Sequence, residues 1–323
     1  MHDPSGVVID RGFGFVFSTS YGNEGGVEVR RTASQVSGEN ISSAVWLDHS
    51  VVFPIAQLPR WLHARNLGPT LWAPDVSLHA PTGEWRLYYA ASSFGSQSSC
   101  IGLAVTKSLV KPDWIDRGPV LCSDICSPIG KLSPHACNAI DPHAIPVGSE
   151  VYMTFGSFWT GIKLIQLDAH TGLLPLSSGS DPPHRVWDVA ENFHPDPPRP
   201  IEASWLEYDP SSGWYWLFAN WGMCCRGVHS TYNIRVGRAR NVTGPFLDQT
   251  GEAMEKGGGT LLLGTEQEII GPGQLGLLRL DAGGSAGWIA SMHYYNGADA
   301  GKPYLRLMHM GSYGGWPVLS ELQ

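Results

Sequence analysis

The segment NAIDPH, residues 138–143, is one of five short apolar segments that carry a carboxylate or a proline turn. They recur at intervals of roughly 65 residues, a period typical of one supersecondary unit repeated along the chain. Units that cannot bury both faces alone stack against their neighbours around an axis or along a solenoid. The five are HDPS at Asp3, LWAPDV at Asp75, NAIDPH at Asp141, PIEASW at Glu202 and GPGQ at Gln274. Four hold an acid, and we expect acids at equivalent points of successive units to converge.

Each segment is followed by sequence typical of β-strands. The first runs alternate and are rich in aromatic residues, and they read GFGFVFSTS from Gly12, WRLYYAASS from Trp85, VYMTFGSFW from Val151, WYWLFANW from Trp214 and WIASMHYY from Trp288. A second short strand pattern follows every run, and amphipathic helices of ten or more residues are absent. Five such units predict an all-β fold, a five-bladed β-propeller. The alternatives are an irregular pair of β-sandwiches and, less favoured, a β-helix.

We interpret residues 1–323 as a single domain, the propeller, because no Ser/Gly/Pro linker interrupts the repeat. The proline-rich stretch at residues 181–200 is the best linker candidate, and it reads better as a loop over one face. A second stretch, Ser34 to Asn66, reads as an insert.

Composition excludes two classes of partner. The net charge is −8 with no basic run, which argues against nucleic acid. No stretch of eighteen apolar residues is present, so no transmembrane helix or membrane partner is expected. Charged residues make up only 15% and aromatic residues 11%, with 13 Trp. Such a surface suits stacking on sugar rings, although most Trp residues are as well explained by packing between blades.

The six cysteines favour an oxidised, extracellular protein. Cys122, Cys126 and Cys137 crowd together with Cys100 upstream, and a zinc site is the alternative to disulfides there. Cys224 and Cys225 are adjacent and could form a vicinal disulfide. Sequons at Asn40 and Asn241 weakly favour secretion. The chain opens on Met1 without a leader pattern, which fits either a cytosolic protein or a mature secreted one.

Several of these segments together resemble glycoside hydrolase family 43, and within it the endo-1,5-α-L-arabinanases. The resemblance runs from His2 to about Met310 and is carried by LWAPDV, YYAASSFGSQSSCIGLAVTKSL, NAIDPH, FGSFWTGIKLIQLD, PIEASW and FANWGMCCRGVHSTYNIRVGRARNVTGPFLDQTG. It implies a five-bladed β-propeller. It also implies a secreted hydrolase that cleaves the internal α-1,5 bonds of furanosidic arabinan, a component of plant cell-wall pectin.

By its matching motifs, the resemblance implies roles for three acids. Asp3 becomes the general base, Glu202 the general acid, and Asp141 the acid that tunes and orients Glu202. An inverting glycosidase needs an acid for the leaving oxygen and a carboxylate for water, and a second carboxylate nearby raises the pKa of the acid. Asp-Pro is also ordinary turn chemistry, which leaves a structural reading open for Asp3 and Asp141. For Asp75 we favour a structural role, bonding to neighbouring backbone.

Substrate contacts follow from proximity to the acids in the repeat. Trp72, Phe94 and Trp159 are candidates for packing on arabinose rings, and packing at a blade interface is the alternative. Asn138 and Ser157 are candidates for hydrogen bonds to sugar hydroxyl groups. His2 precedes the base and either orients it or forms a simple turn.

The chain departs from the family pattern at two points. Gln274 stands where relatives have a histidine that faces a metal in the central channel, which makes Gln274 an uncertain metal ligand and a structural calcium or sodium doubtful. EASW replaces EAP followed by an aromatic. No cofactor is needed for the expected chemistry.

Two other functions remain open at this point. One is an exo-acting α-L-arabinofuranosidase or β-xylosidase of the same family, if a loop blocks one end of the cleft. The other is a carbohydrate-binding propeller with impaired catalysis. The expected partner is arabinan or an arabino-oligosaccharide, and we expect a monomer.

Overall fold

The computed structural model describes residues 1–20, 25–37, 40–126, 136–176, 184–193, 198–280 and 287–322. Within these residues, twenty strands form five four-stranded antiparallel sheets in chain order. The first strand of one sheet contacts the first strand of the next, as between β5 (Trp72–His79), β9 (His143–Val147), β13 (Ile201–Asp209) and β17 (Ile269–Leu280). First strands therefore surround a common axis, which confirms the predicted five-bladed β-propeller.

Each blade runs outward from this axis through its remaining three strands. In chain order the strands are β1 Val8–Asp10, β2 Phe13–Thr19, β3 Val27–Thr32, β4 Trp46–Val52; β5, β6 Glu84–Ala91, β7 Cys100–Thr106, β8 Ile115–Cys122; β9, β10 Glu150–Phe155, β11 Ile162–Leu167, β12 Val186–Ala190; β13, β14 Trp214–Trp221, β15 Asn233–Ala239, β16 Thr260–Leu263; β17, β18 Gly287–Asn296, β19 Lys302–Tyr313 and β20 Trp316–Glu321.

Helical structure is short throughout the described residues. The one α-helix there, α1, spans Arg60–Ala64, so none has the length and apolar character that a membrane crossing requires. Single 3₁₀ turns occupy Ile41–Ser43, Ile55–Gln57, Ser123–Cys126, Gly227–His229, Met254–Lys256 and Gly297–Asp299.

The core lies between the blades, in one hydrophobic cluster for each pair of neighbours. Successive strand side chains point to opposite faces, so a middle strand feeds two clusters. On β2, Phe15 and Phe17 pack toward blade two, while Val16 packs toward blade five. Burying each such side chain contributes about 1.5 to 3 kcal/mol. This two-sided burial explains why the predicted strand runs are apolar at almost every position.

The ring closes without a covalent link between blades five and one. Residues 2–5 continue the inner edge of blade one, because Thr19 N–H donates to His2 O at 3.1 Å and Ser5 N–H donates to Phe17 O at 2.7 Å. On the other side, the Ser291 hydroxyl of β18 donates to Ser5 O at 2.8 Å. The start of the chain is thus fixed between two blades, which places Asp3 at the axis.

Two predicted loops turn out to contain strands. The stretch Ser34 to Asn66 was interpreted as an insert, but it supplies β4, the outer strand of blade one. The proline-rich stretch 181–200 supplies β12, the outer strand of blade three. Both strands have buried neighbours on one side only, so their sequences lack the continuous apolar pattern of inner strands. Residues 38–39, 181–183 and 194–197 lie outside the described residues.

All six cysteines fall in described residues, and all are paired. The bonds are Cys100–Cys122, Cys126–Cys137 and Cys224–Cys225. Cys100 and Cys122 face each other across β7 and β8. The disulfide interpretation is confirmed, and the alternative of a zinc site at these cysteines is wrong.

Candidate active site

A left-handed residue interrupts the inner edge of every blade. These residues have φ between 35° and 56° and are Asp3 (49°), Ala73 (35°), Asp141 (55°), Ala203 (55°) and Gln274 (56°). This backbone is unusual for residues other than glycine. The structurally equivalent position therefore holds an acid only in blades one and three. Glu202 precedes the equivalent position by one residue and Asp75 follows it by two, which corrects the expectation of four equivalent acids.

Four of these five residues donate their N–H to a side chain of the preceding blade. The acceptors are His293 Nδ1 for Asp3 at 3.2 Å, Thr19 Oγ1 for Ala73 at 2.9 Å, Asp141 Oδ2 for Ala203 at 3.1 Å and Asn220 Oδ1 for Gln274 at 3.0 Å. Backbone at one end of the axis is thus tied blade to blade. The side chains carried there have fixed positions.

Asp3 is surrounded by groups that favour its ionised form. His2 Nδ1 lies 2.8 Å from Asp3 Oδ1, and the Thr19 hydroxyl donates to Oδ2 at 2.6 Å. Burial alone would raise the pKa of Asp3, but His2, His293 and Thr19 outweigh it and lower this pKa to about 2. Its side chain is 17% exposed, so water can reach it. At neutral pH Asp3 is a carboxylate that can accept a proton from water.

Glu202 lies on β13 and is buried, at 8% exposure. Burial raises the pKa of its carboxyl, while hydrogen bonds from Ser157 and Tyr232 lower it and the charge of Asp3 raises it, and the net direction is upward. The Ser157 hydroxyl donates to Oε2 at 2.7 Å, and the Tyr232 hydroxyl donates to Oε1. A carboxyl with a raised pKa can carry a proton to a leaving group near neutral pH.

Asp141 is buried beside this carboxyl. Burial first, and then the charges of Glu202 and Asp3, raise the pKa of Asp141 well above its usual range. Its Oδ2 accepts the N–H of Ala203, the residue directly after Glu202. Asp141 therefore fixes the backbone that carries Glu202.

Asp75 bonds to backbone, as expected for a structural residue. Its Oδ2 accepts the Ala144 N–H at 2.9 Å, and its Oδ1 lies 3.4 Å from His143 Nδ1. These contacts join blades two and three.

The proposed substrate-binding residues lie in different settings. Ser157 is joined to Glu202, as described, while buried Asn138 accepts the Ser99 hydroxyl at 2.6 Å. Trp72 is half-buried, with its indole N–H donating to Thr70 Oγ1 at 3.1 Å. Phe94 is 85% exposed, and half-buried Trp159 lies beside Phe158. Contact of these side chains with substrate stays a prediction.

Sequence reasoning missed three partners of Asp3 and Glu202 and one partner of His2. Thr19, Tyr232, His293 and Tyr295 all reach the site from second or third strands of their blades. Tyr232 and His293 lie inside quoted segments, STYNI and MHYY, but their residue types alone did not indicate contact with an acid. The contacts of Tyr232 and His293 become evident only in the folded structure.

The surroundings of Gln274 do not fit a calcium ion. Its N–H is bound to Asn220, and its side chain supplies one neutral oxygen where calcium takes six to eight oxygen ligands. Among the described residues, the clusters of three His, Cys, Asp or Glu side chains do not include any residue of β17. Both clusters contain His2, whose two ring nitrogens are engaged by Asp3 and Tyr295. We derive no step through a metal.

Comparison with known proteins shows the family to which this fold belongs. A family model described as glycosyl hydrolases family 43 matches residues 2–312. The extracellular endo-α-(1→5)-L-arabinanase 1 of Bacillus subtilis (strain 168) is 32% identical over 319 residues, which cover 98% of this chain and 87% of that protein. The extracellular exo-α-(1→5)-L-arabinofuranosidase ArbA of Cellvibrio japonicus (strain Ueda107) is 35% identical over 279 residues, covering 81% and 74%. An exo-1,5-α-L-arabinanase from a bovine ruminal metagenomic library superposes with a TM-score of 0.82 at 28% identity, covering 99% of this chain and 96% of that one.

Proposed function

Because this chain belongs to family 43 of the glycosyl hydrolases, we propose that it cleaves internal α-1,5-L-arabinofuranosidic bonds of arabinan with inversion at the anomeric carbon. One observation carries the proposal. Two carboxyl groups close enough for the charge of one to act on the other have pKa values shifted in opposite directions, lowered to about 2 for Asp3 and raised for Glu202. Groups whose surroundings separate their pKa values in this way suit a base and an acid.

In the proposed mechanism, Glu202 donates its proton to the glycosidic oxygen as the bond to the anomeric carbon breaks. Asp3 removes a proton from the water that attacks the opposite face of the sugar. The product then carries the inverted configuration, with Asp3 protonated and Glu202 ionised, and proton exchange with solvent resets both groups.

Asp141, Ser157 and Tyr232 support the acid in this proposal. Asp141 accepts the Ala203 N–H and so holds the backbone next to Glu202. The two hydroxyl groups hold the two oxygens of Glu202, which fixes the direction in which the proton is delivered. For Ser157 this reading differs from the expected bond to a sugar hydroxyl.

We further propose that Trp72, Phe94 and Trp159 pack on arabinose rings. Phe94 is the most exposed of the three, at 85%, so its ring is open to a ligand. Asn138 is the weakest of the proposed polar contacts, since its carbonyl oxygen is already bound to Ser99.

The proposal is tested by the time course of products from linear 1,5-α-L-arabinan, resolved by chromatography. We expect mixed oligosaccharides to appear first, and we expect Glu202→Gln to release none because the amide cannot donate the required proton. Glu266→Gln, a change at an exposed position, is the matched control and should match the wild type. Full activity of Glu202→Gln would contradict the assignment of the acid.

Exo action is the second candidate function. It is favoured by the names of two similar proteins, the Cellvibrio japonicus exo-acting enzyme and the ruminal exo-arabinanase. The same time course separates the two functions, because exo action releases one short product from the start. A binding propeller would release no sugar, and Glu202→Gln would keep the wild-type affinity for arabinan.

We also propose that residues 1–323 act as one catalytic domain, as a secreted monomer. Three disulfides suit an oxidising compartment. The similar enzymes of Bacillus subtilis and Cellvibrio japonicus are both described as extracellular. The molar mass in solution, measured by light scattering, tests the proposal that the protein is a monomer. A dimer at micromolar concentration would contradict it.

A further inference from the structure

A chain of contacts leads from the Cys224–Cys225 disulfide to Asp3. The Cys225 N–H donates to the Tyr295 hydroxyl at 2.7 Å, and this hydroxyl lies 2.6 Å from His2 Nε2. The other ring nitrogen of His2, Nδ1, lies 2.8 Å from Asp3 Oδ1. His2 is buried, at 3% exposure, so solvent does not replace these partners freely.

One order of donors pairs each group along this chain. The Tyr295 oxygen accepts the Cys225 N–H, which leaves its own proton available for His2 Nε2. An imidazole that accepts at Nε2 carries its proton on Nδ1, where it can donate to Asp3. The backbone of Cys225 has φ +65°, and its disulfide to the preceding residue restricts the movement of this donor.

His293 cannot perform the same task. It stacks on His2 with ring centroids 4.2 Å apart, and its Nδ1 accepts the N–H of Asp3. Burial and then the charge of His2 lower the pKa of His293 well below its usual range, so it is neutral at neutral pH. A neutral ring that accepts at Nδ1 has no proton there for the carboxylate. Of the two histidines, only His2 can donate to Asp3.

We propose that Tyr295 is a positioning residue: its hydroxyl donates to His2 Nε2 and thereby sets the tautomer in which His2 donates to Asp3. This inference rests on the proposed role of Asp3 as the base. Without the tyrosine hydroxyl, nothing in this chain of contacts confines the proton of His2 to Nδ1. The unprotonated Nδ1 then faces the carboxylate, and its lone pair repels the ionised form.

Other titratable groups also face Asp3 and stay unchanged in the test below. They are the carboxyl groups of Asp141 and Glu202, the Tyr232 hydroxyl, the His293 ring and the amino group of Met1. A change confined to Tyr295 therefore reports on the donor to His2 and not on the charge of the cavity.

The first test compares pH profiles of kcat/KM for the wild type and Tyr295→Phe. In Tyr295→Phe the base protonates more readily, so we expect the acid limb of kcat/KM to move to higher pH by about one unit. Tyr294→Phe is the matched control, because the neighbouring side chain lies on the other face of β18 beside Tyr304. A Tyr295→Phe profile that superimposes on the wild type overturns the proposal.

The second test reads the tautomer without activity, by long-range ¹H–¹⁵N spectra of the protein with ¹⁵N-labelled histidine. The signal of His2 is assigned by its loss in His2→Gln. We expect a ring protonated on Nδ1 alone. A ring protonated on Nε2, or on both nitrogens, overturns the proposal because Tyr295 would then accept. This spectrum decides the matter if Tyr295→Phe does not fold.

The two failures can be told apart. If Glu202→Gln keeps full activity, the proposed function fails, and the spectrum still reports whether Tyr295 sets the tautomer of His2. If Glu202→Gln is inactive while Tyr295→Phe and Tyr294→Phe both match the wild type, the function stands and the positioning role fails.

Discussion

Two hydroxyl groups, those of Ser157 and Tyr232, lie against the carboxyl of Glu202. A hydrogen bond donated to a carboxylate favours its ionised form, so both groups oppose the effect of burial on the pKa of Glu202. They hold the acid in one orientation while burial keeps its pKa raised. The carboxyl of Glu202, the proposed acid, is therefore held in one orientation and is able to keep its proton.

Ser157→Ala removes one of these donors. The pKa of Glu202 then rises further, so we expect the basic limb of the pH profile of kcat to move to higher pH. Because the carboxyl also loses orientation, kcat at neutral pH falls by about tenfold. Ser204→Ala is the matched control, since the buried Ser204 hydroxyl has no hydrogen-bond partner among the described residues. A basic limb that moves to lower pH would contradict this account.

We expect Asp141→Asn to be more stable than the wild type but less active on arabinan. The raised pKa of Asp141 means that the native state favours the protonated form, so stability is greatest below the unfolded-state pKa and falls as pH rises toward the folded-state value. Asparagine does not titrate, so the variant does not lose stability in this way as pH rises, and its side-chain oxygen can still accept the Ala203 N–H. We expect a gain of about 1 kcal/mol at pH 7 that shrinks at pH 4.

Thermal unfolding of the wild type and Asp141→Asn at the two pH values measures this difference. A lower melting temperature of the variant at pH 7 would show that the negative charge of Asp141 stabilises the native cavity. Activity on arabinan, measured on the same samples, should fall.

The sequence located the three acids, but it did not locate the groups that set their pKa values. HDPS, NAIDPH and PIEASW mark the acids directly, because each acid lies within a segment that recurs. The contact between Asp3 and His293 joins residues 290 positions apart, and that between Glu202 and Tyr232 crosses from the inner strand to the third strand. Such contacts depend on how blades close, which no local pattern encodes.

The inner strand is the element that makes the site. A left-handed residue breaks the ladder near the start of each inner edge, and register shifts follow in β5, β13 and β17. Bulges of this kind redirect side chains toward an axis. Inner and middle strands were predictable from their apolar alternation. The outer strands β4 and β12 were not, because one of their sides is open to solvent.

The chain around Gly6 passes very close to Gly276 of blade five, and this contact predicts the effect of Gly276→Ala. A Cβ at Gly276 would lie 2.3 Å from Gly6 N and 2.5 Å from Gly6 Cα, both backbone atoms that cannot rotate away. We expect a loss of about 1 to 3 kcal/mol in stability and a fall in kcat, because the displaced segment carries Asp3.

Gly311→Ala on β19 is the control, since the nearest atom to its added Cβ is at 3.9 Å on the flexible side chain of His309. Denaturant unfolding and kcat of both variants give the comparison. Equal stability of the two variants would contradict the close contact at the ring closure.

Five hydrophobic clusters, one between each pair of neighbouring blades, hold the whole molecule together. No blade can bury its faces alone, which explains why the period of the sequence predicted the architecture. The same ring brings Asp3 of blade one, Asp141 before blade three and Glu202 of blade four to one end of the axis. The site therefore depends on the complete ring.

The most direct test of the central claim is the anomeric configuration of the first product, followed by ¹H NMR during rapid hydrolysis of linear 1,5-α-L-arabinan. With Glu202 as acid and Asp3 activating water, the new reducing end appears first as the β-anomer, and Glu202→Gln gives no early signal. Initial appearance of the α-anomer would contradict the account, because retention requires a carboxylate that attacks the sugar and not one that activates water.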